Sequence, residues 1–336
     1  MPAINEAERL RSYYTFDEDI LERVGEVADN QRNTTWDALS ARLPDNKIFI
    51  PANGKPIEIL DIVPRADYDG THVYHLPMGN ALDENMTARV ATLAAAEPAR
   101  RIIAVGNPGS PGQGGGRIKA RDFNSVWSGD LRAAVDPTLQ YLHSQNIDVA
   151  THIGFSYGAD RAATAAQYAD KYDQQVQQGV LMDPASVSER SLLGLAREFG
   201  STAQALDVYV QAAASPAYLE ARKLAEERGH GLLGYTLGLV RMSNLAIAHA
   251  LAQDGFEGRV DAALTAQPEM LADIIWGSES ELALRGCMLA TTARLTEKFG
   301  IDRVRATELV DQKHAMGDDI FLHTAMILQS TKNNNT

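Results

Sequence analysis

The clearest chemical signal in the sequence is the run Gly-Phe-Ser-Tyr-Gly at residues 154–158. It directly follows a predicted strand at 148–153 and precedes a predicted helix at 157–172, the context that presents a nucleophilic serine. A side chain on either flanking residue would collide with the backbone of so tight a turn, so both flanks need to be glycine. Because the helix dipole favours negative charge at this end, the pattern predicts that Ser156 is a nucleophile.

Composition limits the other chemistry that the chain could perform. Lys and Arg number 31 against 44 Asp and Glu, with the basic residues scattered, so we expect no nucleic-acid partner for a net charge of −13. The single cysteine, Cys287, excludes an internal disulfide and cysteine-rich metal centres. The Gly-rich run at 106–116 lacks both the Lys-Ser/Thr ending of a phosphate loop and the spacing of a dinucleotide fingerprint. We therefore expect no metal and no cofactor.

The distribution of apolar residues predicts where the protein is located, because they form neither a membrane span nor a secretory signal. No run approaches the 18 uninterrupted apolar residues that a membrane span needs, so no span is expected. Residues 1–6 carry charge early and have no apolar core, which is unlike a secretory signal. These features predict a cytoplasmic protein.

Strands and helices are predicted to alternate along most of the chain. A hairpin is expected around Asn53 and Gly54, because both residues tolerate positive φ between two β-rich runs. Further strands are predicted at 72–76, 101–105, 148–153, 179–182, 270–276 and 302–309. Helices are predicted at 84–96, 129–144, 157–172, 280–299 and 319–329. This alternation predicts an α/β fold with a mostly parallel, doubly wound sheet, which binds ligands at the carboxyl ends of its strands.

The order of these features resembles that of the α/β-hydrolase family over roughly residues 47–330. Runs similar to its oxyanion turn, active-site loop, nucleophile turn, pre-lid strand, acid strand and histidine loop occur in the same order, at 73–80, 102–109, 154–158, 180–184, 274–279 and 310–314. The resemblance implies an α/β-hydrolase fold with its core at 47–186 and 261–330.

Two further regions are expected outside that core. Residues 187–260 show helical periodicity without a convincing strand, so we expect an inserted helical lid. Residues 1–46 are predicted to form an N-terminal helical extension, and residues 331–336 a disordered tail.

A base for the serine is implied by the same resemblance. His314 follows the last predicted strand, in the order that the family uses after its serine. The alternative interpretation is a surface histidine in a polar loop. We expect His314 to be the base, because a serine hydroxyl needs one beside it at neutral pH.

The acid is where the sequence departs from the family's pattern. The family's aspartate lies three residues after the Gly of the acid strand, and here that position is Ser280. Glu279 is the first candidate, because the loop could absorb one extra methylene, and Glu281 is an alternative. Asp183 is the second candidate, since some family members carry the acid at the end of that earlier strand. These residues could equally be a loop-capping carboxylate at Asp183 and a solvated helix start at the glutamates.

The resemblance also implies an oxyanion hole, formed by two backbone N–H groups. Tyr157, which follows the nucleophile, would supply one of them. Pro77 has no N–H, so Met78 or Gly79 would supply the other. The more familiar His-Gly pair is absent from this turn.

The function that these features imply is hydrolysis of an ester or other acyl compound, with a small-molecule acyl substrate. A non-catalytic binding or assembly protein of the same fold is the alternative, favoured by Ser280, the missing His-Gly pair and the N-terminal helices. Acyl transfer to an acceptor other than water, and the oligomeric state, stay open. A hydrophobic substrate, or simple packing of the lid, would explain the apolar residues Leu232, Leu233, Leu237, Leu239 and Met242.

Overall fold

An eight-stranded sheet forms the centre of the protein. The computed structural model describes residues 6–51, 57–64, 67–78, 82–107, 122–212, 215–228 and 242–332. The strands are β1 (Lys47–Phe49), β2 (Ile57–Ile62), β3 (Thr71–His75), β4 (Arg101–Val105), β5 (Val149–Phe155), β6 (Gln175–Met182), β7 (Leu271–Gly277) and β8 (Val304–Leu309).

The sheet is mostly parallel, as the sequence predicts. Its strand order is β1-β2-β4-β3-β5-β6-β7-β8. Strand β2 pairs antiparallel with β1 and β4, and every other neighbouring pair is parallel. The predicted pairing of the first two strands is confirmed, with Lys47 opposite Ile59, while their turn lies outside the described residues. Strands β5 to β8 therefore end at the same edge, which is where a doubly wound sheet presents functional side chains.

Helices flank the sheet and are numbered here in the order of the sequence. They are α1 (Glu6–Arg11), α2 (Glu18–Arg32), α3 (Trp36–Ser40), α4 (Glu84–Ala96), α5 (Phe123–Trp127), α6 (Arg132–Ser144), α7 (Tyr157–Tyr168), α8 (Leu192–Ala212), α9 (Pro216–Glu227), α10 (Met242–Ala252), α11 (Phe256–Ala266), α12 (Arg285–Phe299) and α13 (Ile320–Lys332). Among the described helices, none combines the length and the apolarity that crossing a bilayer requires.

Each face of the sheet packs against its own helices, because neighbouring residues of a strand point to opposite sides. In β7, Ile275 joins a core with α2, α4 and α13. Its neighbours Ile274 and Trp276 join a second core with α6, α7, α11 and α12. Strand β4 is buried on both faces, and its residues 102–105 form an apolar run rather than an alternating pattern.

Helix α7, which begins directly after Ser156, is fixed by close packing and by a buried ion pair. Alanines line its contact with α11, which lets the two backbones approach closely. Arg259 Nη1 of α11 lies 2.7 Å from Asp160 Oδ1, and burial raises the pKa of that carboxyl group. The start of α7 is thus held in place by α11.

Several boundaries differ from the sequence prediction, among them the start of α12 and the end of α13. Helix α12 begins at Arg285 rather than at residue 280, because the Ser280 hydroxyl accepts a hydrogen bond from the Ala283 N–H and donates one to Asp183. Helix α13 runs to Lys332, two residues into the predicted tail, because Lys332 Nζ donates to Asp17 at 2.8 Å and to Asp19 at 2.6 Å. Residues 333–336 lie outside the described segments.

A buried histidine pair predicts loss of stability in acid. His75 Nε2 lies 2.8 Å from His152 Nδ1, and burial lowers the pKa of His152 from 6.5 to about 4. The unfolded chain protonates His152 at a higher pH than the folded protein does. The contribution of neutral His152 to the free energy of unfolding is therefore complete above pH 6.5 and is lost as the pH falls towards 4. Between pH 7 and about pH 4.5, His152→Gln should therefore lose about 2–3 kcal/mol less unfolding free energy than the wild type.

The measurement is urea unfolding of both proteins at the two pH values. His143 is exposed and provides the control, since its replacement by glutamine should leave the pH dependence unchanged. Equal pH dependence in the wild type and His152→Gln would contradict the assignment.

Candidate active site

The turn around Ser156 is strained, and its two glycines are required by their surroundings. Ser156 has φ 57° and ψ −128°, so it lies in a region that L-residues rarely adopt. A Cβ on Gly154 would overlap the Gly158 carbonyl group, and a Cβ on Gly158 would overlap the His75 carbonyl oxygen. This agrees with the sequence argument that both flanks need to be glycine.

Gly158→Ala is expected to destabilise the fold by about 3 kcal/mol or more, because the overlap is with backbone and cannot be relieved by a rotamer change. Gly25, in the middle of α2, is the matched control, since nothing lies within 4 Å of its added Cβ. Gly25→Ala should gain about 0.5–1 kcal/mol from helix propensity. Urea unfolding measures both; an unchanged midpoint for Gly158→Ala would mean that the turn is more open than described.

His314 lies beside Ser156 although the two are far apart in the sequence. It starts a 3₁₀ turn, His314–Asp318, that follows β8, and its Nε2 is 3.0 Å from Ser156 Oγ. Both residues are 3% exposed. The Phe155 ring stacks on the imidazole, with centroids 5.0 Å apart and planes at 24°, which restricts the ring's orientation.

The other imidazole nitrogen contacts Asp183, the second of the sequence's candidates. His314 Nδ1 is hydrogen-bonded to Asp183 Oδ2, at the carboxyl end of β6. Ser280 Oγ donates to the same oxygen at 2.6 Å, and the Gly277 N–H donates to Oδ1 at 3.0 Å. The Asp183 carboxylate is 0% exposed, and these donors supply the hydrogen bonds that water would otherwise provide. A proton on Nδ1 leaves Nε2 free to accept one from Ser156.

Asp183, rather than the first candidate Glu279, is the carboxylate that contacts His314 in this structure. The Glu279 side chain is exposed, and its backbone N–H donates to the Gln312 carbonyl group. Glu281 is half-buried, and Asp183 rather than Glu281 contacts His314 Nδ1. Ser280 occupies the position that the family gives to its acid, and it hydrogen-bonds the aspartate that lies on the neighbouring strand.

The backbone groups expected to form an oxyanion hole are described in part. Tyr157 is the first residue of α7, so its N–H has no acceptor within the helix. Burial raises the pKa of its phenol to about 12, so that hydroxyl stays protonated. Met78 follows β3 and is buried, whereas Gly79 lies outside the described residues.

Sequence reasoning missed two buried residues next to this turn. Asn107 Nδ2 donates to the carbonyl oxygens of Pro77, at 2.6 Å, and Leu76, at 3.3 Å. Arg161 donates to Asn107 Oδ1 and, at 3.3 Å, to the Ala134 carbonyl oxygen. The available signal was an asparagine directly after a buried strand, and it was hidden at the start of the Gly-rich run.

Three elements hold the turn that carries His314. The Lys313 N–H donates to the hydroxyl of Tyr209, from α8, at 3.0 Å. Arg89 of α4 pairs with Asp318, and Arg9 of α1 donates to Asp319 Oδ1 at 2.8 Å. The N-terminal helix therefore contacts the same loop as the core does.

An apolar cluster covers the serine turn. It joins Met78 and Tyr157 to residues of α8 and α10, including Leu195, Ile247 and Leu251. Of the apolar residues in the expected lid, Leu232, Leu233, Leu237 and Leu239 lie outside the described residues, and Met242 begins α10. Within the described segments, no three His, Cys, Asp or Glu side chains come together as a metal site would require.

Comparison with solved structures identifies the fold. A thermophilic esterase from Thermogutta terrifontis has a TM-score of 0.53 at 14% identity, covering 87% of this chain and 100% of that one. A carboxylesterase from Nitrososphaera gargenis gives 0.52 at 14%, covering 85% and 98%. An enol-lactonase from Burkholderia xenovorans gives 0.51 at 15%, covering 84% and 100%. No protein-family model and no curated protein sequence matches the chain. The protein therefore has the α/β-hydrolase fold, as the sequence resemblance implies.

Proposed function

We propose that the protein is a serine hydrolase that cleaves an ester or a related acyl compound through an acyl-enzyme on Ser156. The observation that carries this proposal is the continuous hydrogen bonding from Ser156 Oγ through both nitrogens of His314 to Asp183. The likeness to an esterase and a lactonase of the same fold supports hydrolytic chemistry in general. The substrate class is then a small acyl compound.

In the first half of the reaction, Ser156 Oγ attacks the substrate's carbonyl carbon while His314 Nε2 takes the hydroxyl proton. Asp183 stabilises the imidazolium and keeps its tautomer. When the tetrahedral intermediate collapses, the bond to the leaving group breaks and His314 passes its proton to that group. In the second half, water attacks the acyl carbon while His314 Nε2 accepts its proton. The bond between the acyl carbon and Ser156 Oγ then breaks, His314 returns the proton to Oγ, and the carboxylic acid leaves.

The negative charge on the carbonyl oxygen is held by backbone N–H groups in this proposal. Tyr157 N–H is one donor, because the start of a helix leaves it unpaired within that helix. Met78 N–H is the second donor, and Gly79 is the alternative. Such donors stabilise the oxyanion because they are already oriented before the reaction begins.

The substrate's apolar part is proposed to bind under the inserted helices. Residues 187–260 form a lid in this reading, over a core of residues 47–186 and 261–330. Leu195 of α8 and Ile247 of α10 share an apolar cluster with Met78 and Tyr157, the proposed oxyanion residues. Apolar walls beside the reacting carbonyl favour an acyl group with a hydrocarbon portion.

The test is covalent labelling with a fluorophosphonate probe followed by peptide mapping. The wild type should be labelled on Ser156, and Ser156→Ala and His314→Ala should lose labelling by at least about 10³-fold in rate. Ser128 is exposed, so Ser128→Ala should label like the wild type.

Two results would contradict the proposal. Labelling that persists in Ser156→Ala would place the nucleophile elsewhere. Absence of labelling, together with no turnover of short p-nitrophenyl esters by the folded wild type, would favour the alternative of a binding or assembly protein.

A further inference from the structure

A buried hydrogen-bond series reaches the proposed oxyanion turn from the residues that follow β4. It runs from the Arg161 guanidinium to Asn107 Oδ1, and from Asn107 Nδ2 to the Pro77 carbonyl oxygen at 2.6 Å. Asn107 is 2% exposed and Arg161 is 0% exposed. Every group in the series is therefore removed from water, where such bonds are strong and costly to break.

The geometry of the peptide unit links this series to catalysis. The Pro77 carbonyl and the Met78 N–H belong to one planar peptide unit, and in a trans peptide they point in opposite directions. Holding the carbonyl oxygen on Asn107 therefore turns the Met78 N–H away from Asn107. The close approach of Gly158 to the His75 carbonyl brings this turn beside the start of α7, where Tyr157 lies.

Asparagine is suited to this position because its amide both accepts and donates. The Arg161 guanidinium only donates, and the Pro77 carbonyl only accepts, so the residue between them needs one group of each kind. Arg161 also determines which way round the amide lies, since its N–H groups can face only Oδ1. The Arg161 guanidinium is itself fixed by the Ala134 carbonyl oxygen at 3.3 Å.

We propose that Asn107, oriented by Arg161, is a positioning residue for the oxyanion hole: by binding the Pro77 carbonyl oxygen it aims the Met78 N–H at the reacting oxygen. The inference rests on the proposed function, because it names a residue that acts on the same site. It also explains why the turn does not need the His-Gly pair. The Met78 N–H is oriented by the side chain of Asn107, which follows the neighbouring strand β4.

The sharpest test is Asn107→Asp. Aspartate has nearly the same shape and still accepts from Arg161, but it puts a second acceptor against the Pro77 carbonyl and so removes the orientation of the peptide. We expect kcat for a p-nitrophenyl ester to fall by about 10²-fold with KM nearly unchanged, because an oxyanion forms only in the transition state. The affinity for a boronic-acid transition-state analogue should fall by a similar factor.

Gln174 is the matched control. It is also a buried amide that donates to a backbone carbonyl, that of Leu139 at 2.9 Å. Gln174→Glu should lower stability in the same way as Asn107→Asp, yet leave kcat within about threefold of the wild type. Asn107→Ala is the second variant for the case in which Asn107→Asp does not fold, with the same fall in kcat and unchanged KM expected.

The outcomes separate this inference from the proposed function. Wild-type labelling on Ser156, combined with unchanged kcat in the folded Asn107 variants, would overturn the positioning role alone. An equal loss of kcat in Gln174→Glu would mean that the fall in kcat of the Asn107 variants comes from general destabilisation. That result would also overturn the positioning role. Failure of the wild type to label or to turn over ester would instead count against the proposed function.

Discussion

Asp183→Asn is expected to lower kcat for a p-nitrophenyl ester by about 10⁴-fold, with a much smaller effect on KM. An asparagine at this position can present an N–H to His314 Nδ1, which would leave the proton on Nε2. The imidazole would then be unable to accept the proton of Ser156. In the proposed mechanism, Asp183 Oδ2 accepts from His314 Nδ1 and so keeps the productive tautomer.

Glu279 and Glu281 provide the matched controls, because both flank the position where the family pattern expects the acid. Glu279→Gln and Glu281→Gln should keep kcat within about threefold of the wild type. Loss of activity in Glu279→Gln with normal activity in Asp183→Asn would restore Glu279 as the acid. Thermal unfolding of each variant separates a catalytic loss from a loss of fold.

The tight turn at Ser156 could be predicted from the sequence because its constraints are local. The turn needs Gly154 and Gly158, which are adjacent in sequence, and the structure shows backbone atoms where their Cβ atoms would lie. A predicted strand and helix on either side complete the pattern. His314 was accessible for a weaker reason, since only its position after the last strand identified it.

The contact between His314 and Asp183 could not be predicted from the sequence, because its geometry depends on two strands. Asp183 ends β6 and Ser280 follows β7, and these strands are neighbours in the sheet, with Met182 opposite Ile275. Their side chains meet because the carboxyl ends of adjacent parallel strands lie side by side. The family pattern places the acid by counting three residues from the glycine of β7. It therefore carries no information about the pairing of β6 with β7.

The same dependence on tertiary contacts explains the other differences. Helix α12 starts at Arg285 because Ser280 is engaged with Asp183, and helix periodicity alone places the start earlier. Asn107 was overlooked because its partners, Arg161 and Pro77, are distant in sequence. Local patterns therefore predicted the elements and the tight turn at Ser156, whereas the side-chain contacts around that turn required coordinates.

Removing Ser156 and His314 together is expected to cost no more than removing either one. Each single alanine variant should lose about 10⁶-fold in kcat, because neither group can act in proton transfer without the other. The 3.0 Å contact between His314 Nε2 and Ser156 Oγ is the physical reason for this coupling. Catalysis that remains would come from the backbone donors and from substrate binding.

The measurement is kcat for a p-nitrophenyl ester in the two single variants and in the double variant Ser156→Ala/His314→Ala. If the two residues acted independently, their effects would multiply, and the double variant would fall far below either single variant. A multiplied loss would mean that His314 does not activate Ser156, and the proposed mechanism would then lack its base. Equal losses in all three variants would identify a single catalytic unit, in which the backbone donors of Tyr157 and Met78 provide the residual rate.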